Sequence, residues 1–64
     1  MSQESRREKA IDAWESLHTE YDREDEWKYY VLPKLSSFST AYIESCIKRD
    51  MEYFAEIERR LGND

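Results

Sequence analysis

A chain of 64 residues with a net charge of −5 and equal shares, 39% each, of hydrophobic and charged residues has room for one thin-cored domain, because a domain this small buries only about 60% of its unfolded surface. Two Trp, five Tyr and two Phe argue against disorder, since disordered chains are poor in aromatics. The negative charge argues against non-specific binding to nucleic-acid phosphate, which Lys and Arg carry, and no apolar run nears the roughly 20 residues of a membrane span.

Residues 1–64 are read as a single helical domain. Ser5-Arg6-Arg7-Glu8 has the form of a capping box, in which the hydroxyl accepts from one free amide and the carboxylate reaches back to another. A first helix is therefore predicted over about 5–31. Ala10, Trp14, Leu17, Tyr21, Glu24, Lys28 and Val31 recur at spacings of three and four, which places them on one helical face. The acidic cluster Asp22-Arg23-Glu24-Asp25-Glu26 interrupts that stripe. Either the helix runs on through an exposed acidic waist, or Asp22 caps a new helix whose acidic first turn complements the macrodipole. A continuous helix, gently broken at most near 22–26, is the expectation.

The aromatic run Trp27 to Leu32 has strand-like propensity, but the chain offers no second strand to pair with it. Pro33 disfavours helical geometry at Leu32 and marks a bend, so a turn is predicted at about 32–38. Ser39 is the best of several N-caps, with Phe38 and Ile43 placed to staple across it. The second helix, about 39–61, carries Ile43, Ile47, Asp50, Phe54, Ile57 and Leu61 as a heptad seam. On its far face Glu44, Lys48, Glu52, Glu56 and Arg60 form a ladder at intervals of four, the pattern of a solvated surface. Gly62 supplies the stop, and Asn63-Asp64 are expected to fray.

These elements predict an all-α fold, an antiparallel helical hairpin in which Trp14, Leu17 and Tyr21 face the second-helix seam. Ala10 and Trp14 should then approach Ile57 and Leu61, and Val31 and Leu32 should approach Phe38 and Tyr42. A lone hairpin sandwiches a single layer of side chains, so a homodimer forming a four-helix bundle is expected, with Asp50 helping to fix its register. Asp50→Leu should raise stability if that position is buried.

No catalytic, cofactor-binding or metal-binding set emerges. Glu15-Ser16-Leu17-His18 has the Glu-x-x-His spacing of dimetal carboxylate bundles, where Glu44, Glu52 or Glu58 would complete the set. Glu15, however, lies about 100° of helix rotation from Trp14 and faces solvent. His18, with Glu15 and Asp22 three and four residues away, reads as a half-exposed histidine in an acidic neighbourhood. Cys46 lacks a neighbouring base and reads as a buried, inert thiol. Tyr42, Arg49, Tyr53 and Arg60 line one flank of the second helix, and the acidic balance favours an interface rim over base stacking. The acidic waist imitates a phosphate backbone in charge, but a charge run usually forms a solvated face.

In size, acidity and helical format, with the stretch Trp27 to Leu32 and the helix Ala41 to Leu61 as its distinctive parts, the chain resembles small accessory proteins of lambda-like temperate bacteriophages, of the type encoded between exonuclease and excisionase genes. That resemblance implies a non-enzymatic, host-modulating role through protein contacts. The residues themselves point to partner binding by Trp27, Tyr29 and Tyr30 with Asp22, Glu24, Asp25 and Glu26, since hot spots are enriched in Trp and Tyr. The alternatives are a nucleic-acid-mimicking inhibitor and, behind it, a direct nucleic-acid-binding regulator. One cysteine and a polar opening segment, Met1 to Arg7, place the protein in a reducing cytoplasm, that of the host cell if it is phage-encoded.

Overall fold

In the computed structural model, which describes residues 3–62, every regular element is helical and no strand occurs among the described residues. The fold is all-α. Helix α1 spans Gln3–Glu20, a single turn α2 spans Glu24–Glu26, and α3 spans Thr40–Gly62. Between α2 and α3 the chain widens into a π-helix, Trp27–Val31, and then tightens into a 3-10 helix, Leu32–Ser37.

The long helix foreseen over 5–31 stops at Glu20, and the physical reason is the backbone at Asp22. Asp22 takes a left-handed φ of 57°, its N–H donates to the Thr19 carbonyl at 3.2 Å, and the Arg23 N–H donates to the His18 carbonyl at 2.7 Å. That pair of bonds is a Schellman motif, which satisfies the last carbonyls of a helix and turns the chain away from its axis. Asp22 thus terminates α1 and does not cap α2, which is preceded by Arg23 without a side-chain cap. At the other end Gln3 is already helical, so Ser5 lies inside the first turn and the capping-box start is displaced.

Pro33 is not the bend. It sits at the start of the 3-10 helix, where a missing N–H costs nothing, and the Leu32 N–H closes the preceding π-turn on the Trp27 carbonyl. The reversal into α3 comes at Phe38, whose backbone is extended. Ser39 is the N-cap of α3, its Oγ accepting from the Tyr42 N–H at 3.1 Å. Gly62 remains helical without a positive φ, and the expected fraying of Asn63 and Asp64 falls outside the described residues.

The consequence is a correction to the topology. Arg6 pairs with Glu44, Trp14 with Asp50, and His18 stacks on Phe54, so positions on both long helices rise together and α1 and α3 run parallel. The antiparallel pairing of Ala10 and Trp14 with Ile57 and Leu61 is overturned, because residues 24–37 are themselves helical and carry the chain back along the molecule before α3 begins. Trp27 lies level with Trp14 and His18, and Leu35 and Phe38 lie level with Arg7. The path is up, down, up.

Ala10, Trp14, Leu17, Trp27, Ile43, Cys46 and Phe54 form the core, with Tyr21 and Ile47 packed against it. His18 is buried with them, 1% exposed, its Nδ1 hydrogen-bonded to the Trp14 carbonyl at 2.9 Å and its ring against Trp14, Trp27 and Phe54. A histidine can fill an aromatic core when its polar edge finds a backbone carbonyl one turn away. Two arginines tie the outside. Arg6 grips Glu44 with two hydrogen bonds, and Arg7 donates to the carbonyls of Phe38 at 2.7 Å and Leu35 at 2.9 Å. The second contact adds a charged donor to the Leu35 carbonyl, which also accepts the Phe38 N–H at 3.1 Å, and another to the Phe38 carbonyl just past the 3-10 helix, where donors and positive charge suit a helix end.

Candidate interaction surface

The descending segment decides which side chains face outward. Trp27 opens the π-helix, is 5% exposed, and meets Trp14 edge-on at 5.5 Å between ring centroids. Its Nε1 has no hydrogen-bond partner among the described residues, so ring contacts alone anchor it. An aromatic corner of Trp27, Tyr29 and Tyr30 is therefore not what the fold presents. Tyr29 and Tyr30 are 63% and 69% exposed, and Leu32 joins them on the surface. Trp27 is the root of the segment and the two tyrosines are its crown.

The π geometry has a bearing on this. A π-turn is wider than an α-turn and shifts the side chains that follow it, which is why such turns recur at functional sites. Here it holds Trp27 inward while consecutive Tyr29 and Tyr30 both stay in solvent, and the Lys28 ammonium lies 5.6 Å from the Tyr29 ring centroid.

At the head of this segment, Asp22, Glu24 and Asp25 are exposed and Glu26 is half-buried. Arg23 offsets part of their charge by donating from a terminal guanidinium nitrogen to Glu26 Oε2 at 3.1 Å, while its guanidinium carbon sits 4.9 Å from the Phe54 ring centroid. Glu24, Asp25 and Glu26 also occupy the first turn of α2, where acidic side chains suit the helix dipole. Acidic waist and tyrosine crown are thus neighbours on one short stretch of chain.

Along α3, Asp50 faces inward and accepts the Trp14 indole N–H at 2.8 Å, so its polar partner lies within the same chain. Ile57 is half-buried and Leu61 exposed, because α1 ends before it can cover them. Tyr42 and Tyr53 are exposed on one flank with Arg49 and Arg60. Tyr42 packs on Phe38 at 4.8 Å between centroids, and a hydrogen bond to the Cys46 side chain holds the phenol's pKa above its ordinary value. Cys46 itself is a buried free thiol.

The pair Glu15 and His18 is separated by burial: Glu15 is exposed while His18 is sealed in the core, its Nδ1 engaged. The reading of His18 as half-exposed is corrected accordingly. A signal for its burial did exist, since Arg7, Ile11, Trp14 and His18 recur at four, three and four, a second stripe beside the apolar one. Its charged and titratable members hid it. Among the described residues no group of three His, Cys, Asp or Glu is placed to hold a metal ion, and no helix is long and apolar enough to cross a membrane.

No protein family, curated protein or solved structure matches this chain.

Proposed function

We propose that this protein is a non-catalytic interaction module that binds a partner protein through Tyr29, Tyr30 and Leu32, with the adjoining carboxylates of Asp22, Glu24 and Asp25 steering the encounter. The observation that carries this reading is the division of labour on the descending segment, where a buried Trp27 fixes the backbone and two successive tyrosines stand in solvent. Rigid aromatic side chains on a fixed backbone lose little entropy on binding and make effective anchors, while rim charges govern rate and selectivity. The partner is read as a host protein on the strength of the small acidic format shared with phage accessory proteins.

The decisive experiment compares wild type with a Tyr29→Ala, Tyr30→Ala variant in affinity capture from the native cell lysate. The tyrosine variant should lose the specific partner while keeping its helicity. Trp27 is unsuited to this test, since truncating a buried tryptophan unfolds as readily as it unbinds. Equal capture by both proteins sinks the reading. Neutralising Asp22, Glu24 and Asp25 separates it from nucleic-acid mimicry, in which the carboxylates are the anchor: mimicry predicts complete loss, and the tyrosine anchor predicts slower association only.

Self-association belongs to the same proposal. Tyr42 and Tyr53 exposed beside Arg49 and Arg60 on α3 have the composition of an interface flank, and they support pairing of α3 with its copy. Sedimentation equilibrium at micromolar concentration tests it, and a monomer throughout that range removes the dimer.

A further inference from the structure

Where α1 stops at Glu20 and the chain turns off at Asp22, α3 continues through its last turns without a neighbouring helix among the described residues. The step between the two helices forms an open groove of about 230 Å³. Tyr21, Phe54, Ile57 and Leu61 supply its apolar lining, and Leu61 is 72% exposed. Its rim is acidic, with Glu20, Asp22 and Glu58, none of which forms an ion pair among the described residues. Arg23, the one cation among the described lining residues, is already engaged by Glu26 and by the Phe54 ring.

We propose that this groove receives an apolar side chain flanked by lysine or arginine from a partner protein. The volume falls below the ~300–1,000 Å³ of small-molecule pockets, and it suits a single side chain better than a cofactor. Charge selects among occupants. A second copy of this chain would bring its own Glu20, Asp22 and Glu58 against the same three, and a nucleic acid would bring phosphates; both are repelled. A basic segment neutralises the rim while its apolar residue covers Ile57 and Leu61, so two independent deficits of the isolated chain are met by one ligand chemistry. This groove shares Asp22 with the acidic stretch beside the tyrosine crown but includes neither tyrosine and rests on its own observation.

The test uses the full chain, labelled for amide NMR, and a synthetic amphipathic helical peptide of leucines and lysines as the probe. Saturable shifts centred on Tyr21, Phe54, Ile57 and Leu61 are expected, with affinity falling about tenfold or more in Leu61→Asp. Glu58→Lys should weaken binding and flatten its salt dependence, and Tyr30→Ala should bind the probe like wild type. Both groove substitutions are at exposed positions, and circular dichroism verifies that each variant keeps its helicity. The inference is overturned if lysine homopolymer gives the same shifts as the amphipathic probe, if a leucine–glutamate peptide binds equally, if no saturable shift appears, or if the groove signals move on concentrating the protein alone.

Discussion

The indole N–H of Trp14 donates to Asp50 Oδ2 at 2.8 Å, joining the middle of α1 to the middle of α3 through the only polar position of an otherwise apolar seam. Trp14 is buried and the Asp50 side chain is 15% exposed, so the bond is largely shielded from water. The Arg49 Nε lies 3.5 Å from the other carboxylate oxygen, so both oxygens of Asp50 have a polar contact. Register between the two parallel helices is thereby set within one chain.

Asp50→Leu tests this directly, and the expected sign is opposite to the one that an apolar seam alone suggests. Leucine would strand a buried indole N–H, a loss of about 1–3 kcal/mol. Chemical denaturation should show a lower midpoint with an unchanged slope. Asp50→Asn, which retains an acceptor, should recover part of that loss.

Asp22→Gly should stabilise the fold. A left-handed residue costs an L-amino acid roughly 1–2 kcal/mol relative to a conformation it prefers, and glycine takes φ near 57° freely. Aspartate tolerates the region better than most and glycine is more flexible when unfolded, so the net gain should be about 0.5–1 kcal/mol. Thermal melting with Asp22→Val as the opposite control reads it, since a β-branched residue is poorly tolerated there.

Arg7 fastens the bottom of the descending segment to the first turns of α1. Arg7→Ala should release the carbonyls of Leu35 and Phe38 and raise amide exchange through residues 35–39. Each bond to a charged donor contributes about 1.5–3 kcal/mol when shielded, with a smaller value here because the site is only part-buried. Arg7→Lys should behave more like alanine than like arginine, because a single ammonium does not reproduce a forked donor reaching two carbonyls.

The Arg6–Glu44 pair predicts a pH dependence. The hydrogen bond from Arg6 holds the Glu44 carboxyl below its ordinary value, with some opposition from burial and further help from charge attraction, and the same contact raises Arg6. A carboxyl lowered in the folded state stabilises fully above its unfolded pKa and loses that contribution as pH falls through the folded value. The melting-temperature difference between wild type and Glu44→Gln should thus be constant from neutral pH down to about 5 and shrink below the usual glutamate range. Both side chains are solvent-exposed, so the difference should be small and fade in high salt.

Helicity and amphipathic pattern were determined by the sequence itself. Ile43, Ile47 and Phe54 on one side of α3 and the charge ladder on the other require a one-faced helix wherever it docks, and Ser39 carries its own cap in its hydroxyl. Direction was not so determined. An apolar stripe packs equally well against a parallel or an antiparallel partner, and the choice fell to the point where α1 ends, which depends on Asp22 adopting a conformation more usual for glycine. Once the chain turns there, residues 24–37 have the length to return and α3 must rise beside α1. The same turn decides the candidate sites. It sends Trp27 into the core beside His18, leaves Tyr29 and Tyr30 outside, and exposes the end of α3 as a groove. None of these outcomes resides in one residue's propensity, because burial depends on what the tertiary path lays over each side chain.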